Sequence, residues 1–364
     1  MGVRAADDYT LVIQLEKPDY NFIEKLCSSA AFPCNRDFFN SCGGAYGLSI
    51  ENMLTNGPFR LSYLDSEGGN ATMVRNRETD GYLSRIRLKK ARQDEWQSMY
   101  EAENISGFFS YDKYTADSTS SQAFDSSVLC LVFNSQKASL SSENIRQALA
   151  WYAFGFTNSG ANMQAVSSTN SLFPAAVSIA GKPVTQAVGG YTPSYMQQDP
   201  KNLLQQGMDR LQISKLESMT VLMPSDSIYS LIYENINQLW QRDLGLYFTI
   251  EYLPSSQINQ RVSRGEFDIA FMPLTPDGDT PYGILDIFSK YDRQVADYNR
   301  QAKGMTDQSA AVSLIKSAQQ KILQSALCAP MGSESTYFYC KSYFKNIYVN
   351  PFTRVVNLKH TQVG

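Results

Sequence analysis

Asp277 and Asp279 stand one glycine apart in the run Pro276-Asp277-Gly278-Asp279-Thr280-Pro281. Two neighbouring carboxylates can divide acid–base work or flank a glycosidic bond, and either can meet a cationic group. The same spacing in a Pro/Gly-rich loop is also ordinary turn chemistry, because a short carboxylate accepts nearby backbone N–H bonds. Spacing alone therefore gives a catalytic dyad little support, and the adjacent Asp7-Asp8 gives less. His360 is the only histidine of the chain. That removes most His-based triads, His-rich metal sites and imidazole acid–base mechanisms. GxGxxG, GxxxxGK[ST], GxSxG and HExxH are all absent from the sequence.

The six cysteines are Cys27, Cys34, Cys42, Cys130, Cys328 and Cys340, and none forms CxxC. Neither a zinc knuckle nor a thioredoxin-type redox pair is signalled. Cys34 with Cys42, and Cys328 with Cys340, are local pairs able to close short loops. Buried free thiols remain the equal alternative.

The acids at 277 and 279 follow a patterned segment. Gly265-Glu266-Phe267-Asp268 leads into the apolar run Ile269-Ala270-Phe271-Met272-Pro273-Leu274-Thr275. This reads as a buried strand over Phe267–Leu274, ending in an acidic loop. In α/β domains ligands sit beyond the carboxyl ends of strands, which puts Asp277 where a cationic ligand group can be met. The competing reading is that Asp277 or Asp279 caps a helix starting near Tyr282.

The rest of the chain supplies the scaffold. Alternating apolar residues predict strands over Tyr9–Leu15, Phe59–Leu64, Ala71–Arg75 and Leu83–Leu88. A short helix is predicted over Asn21–Ser28, another over Asp94–Glu103, and an apolar strand over Val128–Phe133. Ile145, Ala148, Leu149 and Tyr152 keep the helical i, i+3, i+4, i+7 spacing. The stretch Thr157–Tyr195 is rich in Ser, Asn, Gly and Pro and reads as a long irregular segment over a surface or a binding cleft. From Ser218 onward strands and helices alternate: strands Met219–Met223, Leu246–Tyr252 and Phe267–Leu274, helices Ile228–Trp240, Gln257–Ser263 and Thr306–Leu327. Closing strands are predicted at Tyr337–Tyr339 and Thr353–Leu358.

With 364 residues the length predicts about two domains. The 32 basic and 35 acidic residues leave a net charge of −3. That balance argues against general nucleic-acid binding, which needs a basic face to displace counterions. The basic stretch Arg85-Ile86-Arg87-Leu88-Lys89-Lys90-Ala91-Arg92 fits a strand with one solvated face. No run of apolar residues is long enough to span a bilayer, and Met1-Gly2-Val3 does not open a signal peptide. Charged residues are only 18% of the chain, a weakly charged polar surface common outside the cytoplasm.

Four stretches together resemble the family-5 extracellular solute-binding proteins, the peptide/nickel class of ABC-transporter receptors. Asp7-Asp8-Tyr9-Thr10-Leu11-Val12-Ile13-Gln14-Leu15 resembles the family's DDYTL strand. Thr55-Asn56-Gly57-Pro58-Phe59-Arg60-Leu61 resembles its NGPF turn. Val132-Phe133-Asn134 followed by Asn144-Ile145-Arg146-Gln147-Ala148-Leu149-Ala150 resembles its hinge strand and RQALA helix. Gly265-Glu266-Phe267-Asp268-Ile269 resembles its GDFDI strand.

The resemblance implies an α/β, two-lobed periplasmic-binding-protein-like fold (type II, cluster C-like). Residues 1–126 are expected to supply the remaining part of lobe I, 127–329 the C-terminal α/β lobe, and 330–364 the return to lobe I. Family members carry an N-terminal portion before the DDYTL strand. The expectation here is that part of lobe I and the extra small lobe are missing, leaving lobe I with exposed edges. The implied function is a non-catalytic, cofactor-free receptor that captures peptides or a similar small solute in an interlobe cleft and hands it to ABC permease subunits. It is expected to be a monomer, to bind neither nucleic acid nor metal, and to work extracytoplasmically as a surface lipoprotein or periplasmic protein. In peptide-binding relatives the ligand backbone pairs with the strand matching Ala270, Phe271, Met272, Pro273, Leu274 and Thr275, and an aspartate just beyond it meets the peptide ammonium. That role falls on Asp277, with Asp279 as the competing register. This sequence departs from the pattern in having Pro273-Leu274 before the acid and Gly278 after it. Two other classes are kept: the ligand-sensing domain of a transcriptional regulator, and a secreted hydrolase using Asp277 and Asp279.

Overall fold

The computed structural model describes residues 2–16, 22, 26, 31–65, 67–77, 83–92, 94–154, 166–179, 181–225, 230–276 and 278–364. Contacts divide the chain into two compact units, Met1–Gln122 with Tyr337–Gly364, and Ala123–Thr336. The helix expected over Asn21–Ser28 lies almost wholly outside the described residues.

The first unit is built from short antiparallel pieces. Strands β1 (Gly2–Ala5) and β2 (Leu11–Gln14) form a ribbon. A short helix α1 (Arg36–Ser41) follows, its first turn capped by the Asn35 side chain. Strands β3 (Phe59–Asp65), β4 (Asn70–Arg75) and β5 (Arg85–Leu88) make a three-stranded meander where the sequence alternation places it. In β3 Phe59 and Leu61 turn inward and Arg60 and Ser62 outward, up to the register shift between Leu61 and Tyr63. Helix α2 (Trp96–Glu101) and strand β6 (Gly107–Ser110) add an aromatic cluster. In it the Trp96 ring stacks on Phe108 at 3.9 Å, and Tyr100, Tyr114 and Tyr339 meet Phe108 at 5.1–5.8 Å.

The second unit carries the large core. Strand β7 (Thr119–Phe133) enters it, and strand β8 (Val166–Ser167) is a two-residue piece. Strands β9 (Thr220–Pro224), β10 (Thr249–Leu253) and β11 (Ile269–Leu274) supply the α/β portion, and β12 (Cys328–Lys341) leaves the unit. The strand order is β10-β9-β11-β7-β12, with β6 pairing the end of β12. The β9 to β10 and β9 to β11 pairings are parallel, and β11 to β7 is antiparallel.

One sheet face packs under helices α3 (Glu143–Ala153), α4 (Pro200–Leu211) and α5 (Ser230–Leu239), the last continuing as a π-type turn over Trp240–Leu244. Leu129, Leu131 and Phe133 of β7, Ile269 and Phe271 of β11 and Ala329 and Met331 of β12 meet Ile145, Leu149, Leu203, Tyr233 and Trp240 there. Helix α6 (Ser255–Arg264) packs on β9 and β11. Helices α7 (Tyr282–Ser289), α8 (Arg293–Gly304) and α9 (Gln308–Gln324) pack on one another.

Arg146, in the stretch that carries the family resemblance, is a buried structural fork. Its guanidinium donates to the Ser325 carbonyl at 2.7 and 3.1 Å and to the Leu140 carbonyl at 2.7 Å. Burial pulls its pKa down to about 10. The five described cysteines, Cys34, Cys42, Cys130, Cys328 and Cys340, are all free thiols, so neither local pairing is formed.

Candidate functional site

The strand that leads to the acidic loop is anchored before it begins. Gly265 ends α6 in the left-handed region at φ +74°, a conformation that suits a residue without Cβ. Asn134 then clamps the turn, its side-chain amide donating to the Gly265 carbonyl at 3.1 Å and the Phe267 carbonyl at 2.8 Å. Asp268 receives the Thr220 N–H at 2.9 Å and pairs with Lys137 at 3.2 Å. These contacts fix where β11 starts and hence where it ends.

Along β11 the side chains of Ala270, Phe271, Met272 and Leu274 are buried, and Pro273 is half-buried. The Phe271 ring packs edge-on to Tyr233 in the core. Side chains spent on the core leave the backbone as the chemistry this strand can offer outward. On one edge β7 pairs with the whole strand, from Ile269 opposite Phe133 to Leu274 opposite Val128. On the other edge β9 pairs only with Ile269 and Ala270. Among the described residues, Phe271 to Leu274 have no strand on that second edge.

Thr275 is exposed and Pro276 is buried. Asp277 lies outside the described residues. Asp279 is exposed, and its carbonyl accepts the Ser178 N–H at 2.6 Å, tying the loop to the 174–178 segment. The N-cap position of α7 belongs to Pro281, so Asp279 is not spent on capping that helix.

The antiparallel register that sets Leu274 against Val128 brings the loop beside the chain preceding Val128. There Ser127 donates its hydroxyl to Glu334 at 2.5 Å, and Ser335 donates to Asp125 at 3.2 Å. Glu334 is only 8% exposed. The Ala176 N–H donates to the Asp125 carbonyl at 2.9 Å. The described residues of segments 125–127, 174–178, 275–276, 278–279 and 334–335 therefore converge at the carboxyl end of β11 within the second unit. Asp125 and Glu334 were not singled out in the sequence. The signal available was a single acid in each of two serine-rich stretches, Asp125-Ser126-Ser127 and Ser333-Glu334-Ser335.

This end of the sheet gathers carboxylates and hydroxyls. Among the described residues no group of three or more His, Cys, Asp or Glu stands close enough to hold a metal ion. No helix among them is long and apolar enough to cross a membrane. What the arrangement can do is attract a cation and exchange backbone hydrogen bonds along an extended edge.

Comparison with known proteins agrees along nearly the whole chain. Residues 1–294 match the family model described as bacterial extracellular solute-binding proteins, family 5 middle. The chain is 22% identical over 386 residues to the dipeptide-binding protein DppE of Bacillus subtilis, covering 97% of this chain and 67% of that one. A 68-residue stretch is 37% identical to the oligopeptide-binding protein AliB of Streptococcus pneumoniae, covering 18% of this chain and 10% of that one. The substrate-binding domain of an oligopeptide ABC transporter from Bacillus anthracis superposes with a TM-score of 0.77 at 18% identity, over 100% of this chain and 75% of that one. The peptide-bound OppA of Listeria monocytogenes superposes at 0.74 with 21% identity, over the same shares. These likenesses give the fold as mixed α/β, of the two-lobed periplasmic-binding-protein kind. With the family model matched across residues 1–294, the chain belongs to the bacterial extracellular solute-binding proteins of family 5.

Proposed function

We propose that this protein is the substrate-binding receptor of an ABC importer, that it captures peptides or a similar small solute, and that it changes none of the solute's bonds. The observation that carries the reading is the family match over residues 1–294. The peptide-binding names of its relatives support the ligand class. The partners are then ABC permease subunits, and the protein works as a monomer outside the cytoplasm, as a surface lipoprotein or in the periplasm.

At the site, the ligand backbone lies along the edge from Phe271 through Met272, Pro273 and Leu274 to Thr275, next to Ala270, whose own edge β9 occupies. Asp277 meets the peptide ammonium, with Asp279 as the alternative register. Two observations support this placement. The strand's side chains are buried, so pairing along it reads a peptide backbone without reading its side chains. The carboxyl end of the strand is rich in acid groups, and a charge-assisted bond to an ammonium is among the stronger hydrogen bonds.

Isothermal titration with short peptides and their N-acetylated forms tests the reading. Peptides with a free amine should bind, and acetylation should weaken binding by about 100-fold, the consequence of leaving a carboxylate unpaired. Equal affinity for both forms removes the ammonium contact. No binding of any peptide, with turnover of a glycoside or peptide bond instead, removes the receptor.

A further inference from the structure

The sheet face that packs under α3, α4 and α5 changes character as it runs toward the carboxyl end of β11. Phe133, Leu131 and Leu129 of β7 and Ala329 and Met331 of β12 belong to the core there. Side chains alternate along a strand, so the next positions on that face are Ser127 and Asp125 of β7 and Ser333 and Ser335 of β12. The Ser335 hydroxyl donates to Asp125 Oδ1 at 3.2 Å, so the two rows meet. An apolar face thus ends in a polar one, wholly within the second unit.

The polar groups of this patch are unequally satisfied. The Ser127 hydroxyl is spent on Glu334, and the Ser335 hydroxyl on Asp125. Ser333 is 7% exposed, and among the described residues its hydroxyl has no hydrogen-bond partner. Folded proteins seldom leave a buried hydroxyl in that condition. Asp125 is half-buried, and among the described residues no lysine or arginine pairs with it. Its Oδ2 remains able to accept.

One short segment sets the interval between Asp125 and the acidic loop. The Ala176 N–H donates to the Asp125 carbonyl at 2.9 Å, and the Ser178 N–H to the Asp279 carbonyl at 2.6 Å. Two residues of extended chain span at most about 7 Å, so the two carbonyls stand no more than about 13 Å apart. Two cations carried by one short peptide, its terminal ammonium and a basic side chain, are separated by distances of this order.

We propose that the captured peptide carries a lysine or arginine side chain, and that Asp125 Oδ2 and the Ser333 hydroxyl oxygen accept its N–H groups. The inference rests on the peptide-receptor reading and names the class of peptide preferred. An ammonium brings three donors and a guanidinium five, so either can serve a carboxylate and a hydroxyl together. An apolar side chain serves neither, and covers Asp125 without giving it a partner. The bond to the carboxylate is charge-assisted and the bond to the hydroxyl is less so, which makes Asp125 the main discriminator and Ser333 the second.

Isothermal titration of the full chain with trialanine peptides carrying one lysine, at each of the three positions in turn, tests the proposal. The controls carry norleucine at the same place, which keeps the side-chain methylenes and removes the charge. At one position or more, the lysine peptide should bind at least about 10-fold more tightly than its norleucine twin. Asp125→Asn, which keeps an acceptor for Ser335, should bring that ratio below about 3-fold, and Ser333→Ala should lower it by a smaller factor. Ratios within about 2-fold at all three positions overturn the inference and leave the receptor standing. A ratio that survives in Asp125→Asn overturns it as well. Should that variant lose its melting transition, Ser333→Ala carries the test, and an unchanged ratio there overturns the inference. Binding of none of the peptides is a different result, which overturns the receptor reading and this inference with it.

Discussion

Gln319 holds Gly189. Its side-chain amide donates to the Gly189 carbonyl at 2.8 Å, while its amide oxygen receives the Leu172 N–H at 3.0 Å and the Ser171 hydroxyl at 3.3 Å. One completely buried side chain of α9 thus pins both ends of the segment that carries the small ribbon Ser178–Ile179 with Lys182–Pro183 and the helical turn Val184–Ala187. Gln324, on the same helix, receives the Tyr191 hydroxyl at 2.9 Å and the Ser194 N–H at 3.0 Å. The stretch expected to be irregular over Thr157–Tyr195 holds short regular pieces where it is described, the strands Val166–Ser167, Ser178–Ile179 and Lys182–Pro183 and the helical turn Val184–Ala187, and it is fastened to α9.

Replacing Gln319 by Ala removes the partners of the buried Leu172 N–H and the half-buried Gly189 carbonyl. A buried orphan costs roughly 1–3 kcal/mol and the half-buried one less, so the loss of unfolding free energy should be about 2–4 kcal/mol. Denaturant unfolding checks the magnitude. Hydrogen exchange should show the 171–190 amides losing protection first, and uniform loss across the second unit would contradict the local role.

Gly207 is where α4 approaches α3. A Cβ built there meets Ile145 Cγ1 at 2.6 Å and the Ile145 backbone nitrogen at 2.9 Å. Gly207→Ala should cost about 1–3 kcal/mol, since backbone must move to relieve the overlap. Gly304, at the end of α8, has nothing within 4 Å of its built Cβ. Gly304→Ala should be neutral or stabilise by up to about 1 kcal/mol through helix propensity. Thermal melts of the two variants, run side by side, check the contrast.

Arg146 uses a planar fork to serve two carbonyls at once. Lysine keeps the charge but offers one nitrogen, so Arg146→Lys should destabilise by about 2–4 kcal/mol. Peptide affinity of the folded fraction should stay unchanged. A drop in affinity at full folding would give Arg146 a role at the ligand that its carbonyl partners do not suggest.

The two acidic registers separate by mutation. If Asp277 meets the ammonium, Asp277→Ala should cost about 2–5 kcal/mol of affinity for a free-amine peptide. Asp279→Asn should then cost less than about 1 kcal/mol, as for an exposed charge. The reverse order in titration calorimetry transfers the contact to Asp279.

Thiol titration gives a pH test. Burial, the hydrogen bond to Cys328 and the neighbouring thiol's charge push Cys130 well above the usual thiol range. In the reduced protein the unfolded state therefore ionises first, and stability should fall as pH rises past about 8.5, the ordinary thiol value. In the folded, reduced protein an aromatic disulfide reagent should label Cys34 readily and leave Cys130 untouched until denaturant is added. Prompt labelling of Cys130 in the native state would mean the sheet opens there.

The sequence located most of the second unit's core elements because their apolar residues repeat at 2.0 or 3.6 positions. It placed β11 within two residues of its start and at its observed end, Leu274. What it missed has a common cause. Only the apolar Val128–Phe133 half of β7 was visible, since Thr119–Ser127 is mostly polar, and the same holds for the polar middle of β12. Helix α8 went unread because the residues it buries are Val295, Asn299 and Ala302, with an asparagine in the middle of the inward stripe. The acids beside the candidate site were hidden for a related reason. Asp125 and Ser335 are neighbours only through the β7–β12 pairing, and no local pattern connects positions so distant.

The paths of β7 and β12 carry one more consequence. Residues 123–336 enter and leave through adjoining strands, with Asp125 and Ser335 hydrogen-bonded across the gap. Both ends of this piece therefore emerge side by side from a single doorway. Such a piece can be lifted out as a gene segment, its ends tied by a short glycine–serine bridge, and asked to stand alone or to accept new termini on its far side.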